Sequence, residues 1–196
     1  MNLVDRVKNI LLQPKQEWAV IETETTDTKT LYTSYAMILA AIPAVAGFIG
    51  GSIIGYGMFG VSYRVPIAQG IAGMIVGYAL TLGGAFVLAL IIDALAPNFG
   101  GTKNMNQALK LAIYSATASW LAGIFSMIPG LRILGLLGLY SLYLLYTGLP
   151  LLMKSPPDKS MGYTIVIVVC AIVISVVVGA ISASLISVGG MGGARF

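Results

Sequence analysis

The chain has 196 residues, of which 58% are hydrophobic and only 9% charged, with a net charge of +4. An ordinary soluble domain is roughly 25% charged, so eleven cations and seven acids are too few to cover a water-soluble globule of this size. A mean hydropathy of +0.92 points instead to an integral membrane protein. The chain contains no histidine, which excludes His-based metal sites, Ser-His and Cys-His catalysis and histidine pH switches. Its single cysteine, Cys170, lies in an apolar run and leaves no intramolecular disulfide. The basic residues are scattered through short polar segments, so no nucleic-acid partner is expected.

In chain order, residues 1–30 are predicted to form a cytoplasmic amphipathic segment. Leu3, Val4, Val7, Ile10 and Leu11 recur at helical spacing, with Asp5, Arg6, Lys8 and Asn9 on the other face. Pro14 breaks that helix or starts the next one, and Trp18 and Ile21 share a face beyond it. The pattern describes one or two short helices lying on the membrane surface or on the helix bundle. A Thr-rich linker then runs to residue 30. The first apolar run starts behind this charged segment, so no secretory signal is expected.

Residues 31–188 are predicted to be a five-span transmembrane domain. Uncharged runs cover 30–63, 65–92, 111–131, 133–153 and 160–194, the shortest being 21 residues. About 20 apolar residues cross a bilayer as a helix. Lipid offers no partner to an unpaired backbone, and the alternation of a membrane barrel is absent. Spans are placed near 34–57, 67–93, 109–128, 132–152 and 163–187. Met58–Pro66 reads as a short loop and Pro97–Asn106 as a longer polar one. Met105, Ala108, Leu109 and Ala112 suggest a short interfacial helix leading into the third span. Pro129 and Gly130 make a tight turn, so the third and fourth spans are expected to be antiparallel neighbours. Lys154–Gly162 is a Pro-rich loop, and residues 189–196 are predicted to be a Gly-rich disordered tail. The fold class is all-α and polytopic.

Five spans place the termini on opposite sides. The N-terminal side carries Arg6, Lys8, Lys15, Lys29, Lys103, Lys110, Lys154 and Lys159, and the other side Arg64, Arg132 and Arg195. The excess of cations on cytoplasmic loops then sets the N-terminus inside a cell (inner) membrane and the C-terminus outside.

Several residues are candidates for function. Arg6, Lys8, Trp18, Lys103, Lys110, Lys154 and Lys159 would form a cytoplasmic face able to meet a protein partner or anionic headgroups. Asp93 is the one acid inside a spanning run, and such acids are functional candidates by default. It lies at a helix C-terminus, which disfavours negative charge, so an ion pair with Lys103 or Lys110 is expected. Tyr140, Tyr143 and Tyr146 either hydrogen-bond between helices or line a polar cavity. Small residues at four-residue spacing (Gly47, Gly51 and Gly55; Gly73 and Gly77; Ser175, Gly179 and Ala183) are read as helix-packing ridges or a homo-oligomer face. Hydroxyls within the spans, among them Ser52, Thr81, Ser115, Ser119 and Ser141, are expected to bond local carbonyls. No catalytic residue, metal set or cofactor site is expected.

Four groups of residues carry a family resemblance. They are Leu3-Val4-Asp5-Arg6-Val7 with Pro14 and Trp18; Phe99-Gly100-Gly101 ahead of Gln107-Ala108-Leu109-Lys110; Ile128-Pro129-Gly130-Leu131; and the run Tyr140-Ser141-Leu142-Tyr143-Leu144-Leu145-Tyr146-Thr147-Gly148-Leu149-Pro150, continued by Met153, Lys154, Pro156, Asp158 and Lys159. Over roughly residues 3–188 the chain resembles the Yip1-domain family of five-span membrane proteins. Ala118 stands where the family often has a proline, which implies a straighter third helix. The short N-terminal segment is similar to that of prokaryotic members. In eukaryotes the family is tied to vesicle trafficking and Rab GTPase binding, a cycle that prokaryotes lack. The resemblance and the charge pattern together imply a non-enzymatic membrane adaptor or organiser. The alternative is a small channel or transporter for an ion, small solute or lipid, built on Asp93 and the tyrosines of the fourth span.

Overall fold

The computed structural model describes residues 2–58 and 61–191. Two short helices come first, α1 (Leu3–Leu12) and α2 (Pro14–Thr23). Asn2 caps α1, its Oδ1 accepting the Asp5 N–H at 2.8 Å. Pro14 stands in the first turn of α2, where its missing N–H is no loss.

Among the described residues, five helices are long and apolar enough to cross a membrane: α3 (Thr28–Ile54), α4 (Ile67–Phe99), α5 (Met105–Met127), α6 (Gly130–Leu152) and a fifth over Pro157–Ser184. The last of these is part of α7 (Pro157–Met191), which runs on into the segment read as a disordered tail. Residues 192–196 of that tail lie outside the described residues. The second span starts at Ile67, as the sequence indicates, while the third and fifth start earlier, at Met105 behind the Asn104 cap and at Pro157. The apolar stripe leading into the third span forms the first two turns of α5 itself rather than a separate helix. Between α3 and α4 the chain forms a short antiparallel hairpin of β1 (Tyr56–Met58) and β2 (Val61–Tyr63), with Tyr56 opposite Tyr63, in place of a simple loop.

The third span is not one continuous α-helix. Its α-helix ends at Ser115, resumes at Thr117 and tightens to 3₁₀ geometry over Gly123–Met127. The cause is local chemistry. Ser115, Thr117 and Ser119 each donate a hydroxyl proton to the carbonyl three residues back, and the Ser119 N–H leaves the helix ladder to donate to Ser141 Oγ at 2.9 Å. Across the Ile128 corner, an eleven-residue 3₁₀ helix, Pro129–Leu139, leads into and forms the first half of α6. At about 2.0 Å per residue against about 1.5 Å for an α-helix, this geometry lengthens the reach of the span.

Burial is asymmetric. Ile10, Trp18, Ile21, Leu31, Tyr35, Leu109, Leu111, Ile113, Leu144, Leu149 and Tyr163 form one buried core at the N-terminal end of the bundle. Along the rest of the spans, Ile71, Ile75, Val87, Ile133, Leu136, Ile172, Val173 and Val176 are exposed. Such a surface suits lipid rather than water. Within the apolar window of each span, α5 is 67% buried and α7 only 11%, so α5 is the central helix.

Candidate functional site

The residues of the predicted docking face divide into two sets. Arg6, Trp18 and Lys110 are turned into the protein, with exposures of 6%, 0% and 1%. Lys8, Lys103, Lys154 and Lys159 remain outside. The first three are therefore withdrawn from any headgroup or partner contact, and each has an internal task.

Arg6 stands at the centre of the N-terminal seat. Its guanidinium donates to Glu17 at 2.5 Å and also pairs with Glu24. Its carbon lies 5.5 Å from the centroid of the Tyr114 ring. Burial alone would lower the Arg6 pKa; the hydrogen bond to Glu24 and the neighbouring charges outweigh it and hold the pKa above its ordinary value. Tyr114 in turn meets Tyr35 edge-on at 4.7 Å and Trp18 at 6.4 Å, and Tyr35 Oη hydrogen-bonds Thr117 Oγ1 at 2.8 Å.

Trp18 rests on Gly148. A Cβ at that position would lie 2.6 Å from the Trp18 ring and 2.8 Å from Leu111 Cδ1. Only a glycine lets the indole reach α6 here. In the run of large residues around Gly148, nothing at the sequence level marks it as a seat.

The start of α5 supplies a row of donors. Lys110 Nζ donates to the Ile21 carbonyl at 3.0 Å and to that of Glu24. Gln107 Nε2 reaches the Glu22 carbonyl at 2.9 Å, and Asn106 Nδ2 that of Thr26 at 2.8 Å. The Ile21 and Glu22 carbonyls are among those that the end of α2 leaves without helical partners, and those of Glu24 and Thr26 follow directly in the chain; a cation is favoured there by the helix dipole. Lys154 pairs with Glu22 from the outside. On α6, Tyr140 Oη donates to the Leu11 carbonyl at 2.9 Å, tying α1 to a membrane-spanning helix.

The remaining candidates fall elsewhere. No cation pairs with Asp93 among the described residues; Lys110 is engaged with α2, and Asp93 Oδ1 is buried without a hydrogen-bond partner. The expected ion pair is therefore corrected: the charge of Lys110 is drawn to main-chain carbonyls instead. Tyr140, Tyr143 and Tyr146 are exposed on the outside of α6 and line neither of the two cavities.

The small-residue ridges do not all close. Gly47, Gly51, Gly73 and Gly77 line, with Ser52 and Gly70, a cavity of about 300 Å³ between α3 and α4. Added Cβ atoms at Gly47 and Gly179 would meet nothing within 4 Å. Gly55 ends α3 with φ +87°, a turn rather than a packing contact. The Ser52 hydroxyl is buried without a partner, unlike most of the other span hydroxyls. A second cavity of about 720 Å³ lies between α4, α5, α6 and α7, lined in part by Thr81, Ser115, Ser119, Trp120, Ser141 and Ser175. Gly179 also lines it, while Ala183 is exposed.

The Yip1 domain model matches residues 8–189. This chain belongs to the Yip1 family. Among curated relatives, this Yip1 chain is similar to the inner membrane protein YohC from two strains of Escherichia coli. Each is 25% identical over 166 residues, covering 82% of this chain and 85% of the relative. No solved structure matches it. The motif residues Arg6, Trp18, Gln107, Lys110 and Gly148 form the seat that fastens α1 and α2 to the bundle of this Yip1 protein, and Tyr140, about two turns along α6 from Gly148, adds a second tie to α1.

Proposed function

We propose that this chain is a non-enzymatic membrane organiser that acts from the cytoplasmic face of an inner membrane, with α1 serving as a wedge in the headgroup region. The observation that carries this reading is the Tyr140–Leu11 hydrogen bond. It ties the C-terminal end of α1 to the α6 span, so that α1 lies against the membrane-spanning bundle. The outward face of α1 presents Val4 and Leu12, 71% and 69% exposed, one turn to either side of Lys8. In water such a stripe is unfavourable; at an interface its apolar residues sink among acyl chains and the lysine meets anionic headgroups. Lys103, Lys154 and Lys159 are also exposed. The count of eight cations to three supports placing this face in the cytoplasm.

The full chain, reconstituted into vesicles containing phosphatidylglycerol, tests the proposal. The wild type is expected to shift the vesicle population to smaller diameters, and Val4→Glu/Leu12→Glu, inserted in equal amount, to leave it unchanged. Identical diameters with both proteins would refute the wedge.

A further inference from the structure

The 720 Å³ cavity falls within the range of small-molecule sites, roughly 300–1,000 Å³. It is lined by Leu80–Leu88 of α4, Ala112–Trp120 of α5, Gly138–Leu145 of α6 and Val168–Gly179 of α7, in each case taking residues from within that range. Each range falls in the middle of its span, so the cavity lies near the bilayer midplane.

It opens sideways. Leu139 and Leu142 of α6 and Ile172 and Val176 of α7 line it and are also exposed. The 3₁₀ half of α6 packs on α5 rather than on α7, which leaves a slot between α6 and α7. At this depth the slot communicates with acyl chains, not with water.

The lining chemistry restricts the occupant. Among the described residues, no Asp, Glu, Lys or Arg lines the cavity. A phosphate head drawn to the midplane would have no counter-charge and would lose its hydration. The charge complement of this wall is a neutral molecule. The wall is nevertheless not purely apolar. Thr81, Ser115, Ser119 and Ser175 each donate to a carbonyl of their own helix, which leaves their oxygen lone pairs as acceptors. Ser141 differs. Its Oγ accepts the Ser119 N–H released by the break in α5, and no acceptor takes its proton among the described residues. Trp120 adds an indole donor to the lining.

We propose that this cavity binds a neutral membrane lipid of the diacylglycerol class, whose chains lie in the slot between α6 and α7. A diacylglycerol has one hydroxyl, which meets the acceptor oxygens of the wall. Its ester carbonyls meet the donors, Ser141 O–H and Trp120 N–H. Its head carries no charge, so it reaches the midplane without the penalty that holds a phospholipid at the interface.

The test uses the full chain in lipid nanodiscs with two photoactivatable probes, a diazirine-chain diacylglycerol and the matching phosphatidylglycerol. The expected result is cross-linking of the diacylglycerol probe to peptides carrying Ser115–Trp120 and Gly138–Leu145, displaced by unlabelled dioleoylglycerol. Gly179→Leu, whose added side chain enters open space, abolishes that signal while leaving the melting midpoint in place. Ser141→Ala, which leaves the slot open, lowers the displaceable signal about fivefold, as expected for one lost hydrogen bond. Equal labelling of these peptides by both probes, or labelling that dioleoylglycerol does not displace, overturns the proposal.

Discussion

Replacing Arg6 with methionine leaves Glu17 as a buried, unpaired carboxylate, since the side chain of Glu17 is 6% exposed while that of Glu24, at 31%, can recover water. Removing one partner of a buried pair costs about 3–5 kcal/mol. At about 2–4 °C per kcal/mol for a chain of this length, the lower end corresponds to a fall of about 6–12 °C in the melting midpoint. Glu17→Met costs less, because Arg6 keeps Glu24 and the face of Tyr114. In the double variant the stranded charge is gone, so its loss is smaller than that of Arg6→Met alone. The assay is thermal unfolding of the full chain in detergent, followed by the fluorescence of Trp18 in a Trp120→Phe background. Strictly additive losses across the four proteins would refute the reasoning, because additivity would mean that Arg6 and Glu17 do not depend on each other.

Gly148→Ala drives a methyl into the Trp18 ring and is expected to cost about 1–3 kcal/mol, with a red shift of Trp18 emission as the ring is displaced. Lys110→Met removes the donor to the Ile21 and Glu24 carbonyls; hydrogen exchange is expected to quicken at the end of α2 and not in α6. A hydrogen bond from Thr30 holds the Asp27 carboxyl below its usual pKa. A depressed acid stabilises above its unfolded pKa and stops doing so as pH falls, so the first turn of α3 is expected to loosen in exchange measurements below about pH 4. Asp27→Asn removes that dependence. For orientation, with Cys170→Ser as background, a thiol at position 2 is expected to be protected from impermeant reagent outside cells and one at position 194 to be labelled.

The five spans were legible because charge is so costly in lipid that its spacing marks the helices. The tie between Pro14 and the break from α1 to α2 was equally legible. The seat was not. Arg6 lies among polar residues on a helix whose other face is apolar, and its acids stand 11 and 18 residues away across a turn. Pairing at helical spacing cannot reveal partners that only folding back brings together. Lys110 looked like a headgroup cation for the same reason, since the carbonyls it caps belong to the main chain and leave no mark in the sequence. The break in α5 was hidden because its cause is diverted hydrogen bonding at Ser115–Ser119 rather than a proline. The open glycine ridges show the limit of a spacing rule: four-residue periodicity predicts that backbones can approach closely, not that they do.

The most direct test of the account is the depth of Leu12. A spin label at Leu12→Cys, in the Cys170→Ser chain reconstituted into phosphatidylglycerol vesicles, is predicted to collide more with oxygen than with a water-soluble nickel chelate, while a label at Lys15→Cys shows the reverse. Greater nickel contact at position 12 than oxygen contact would place α1 in water and contradict the account.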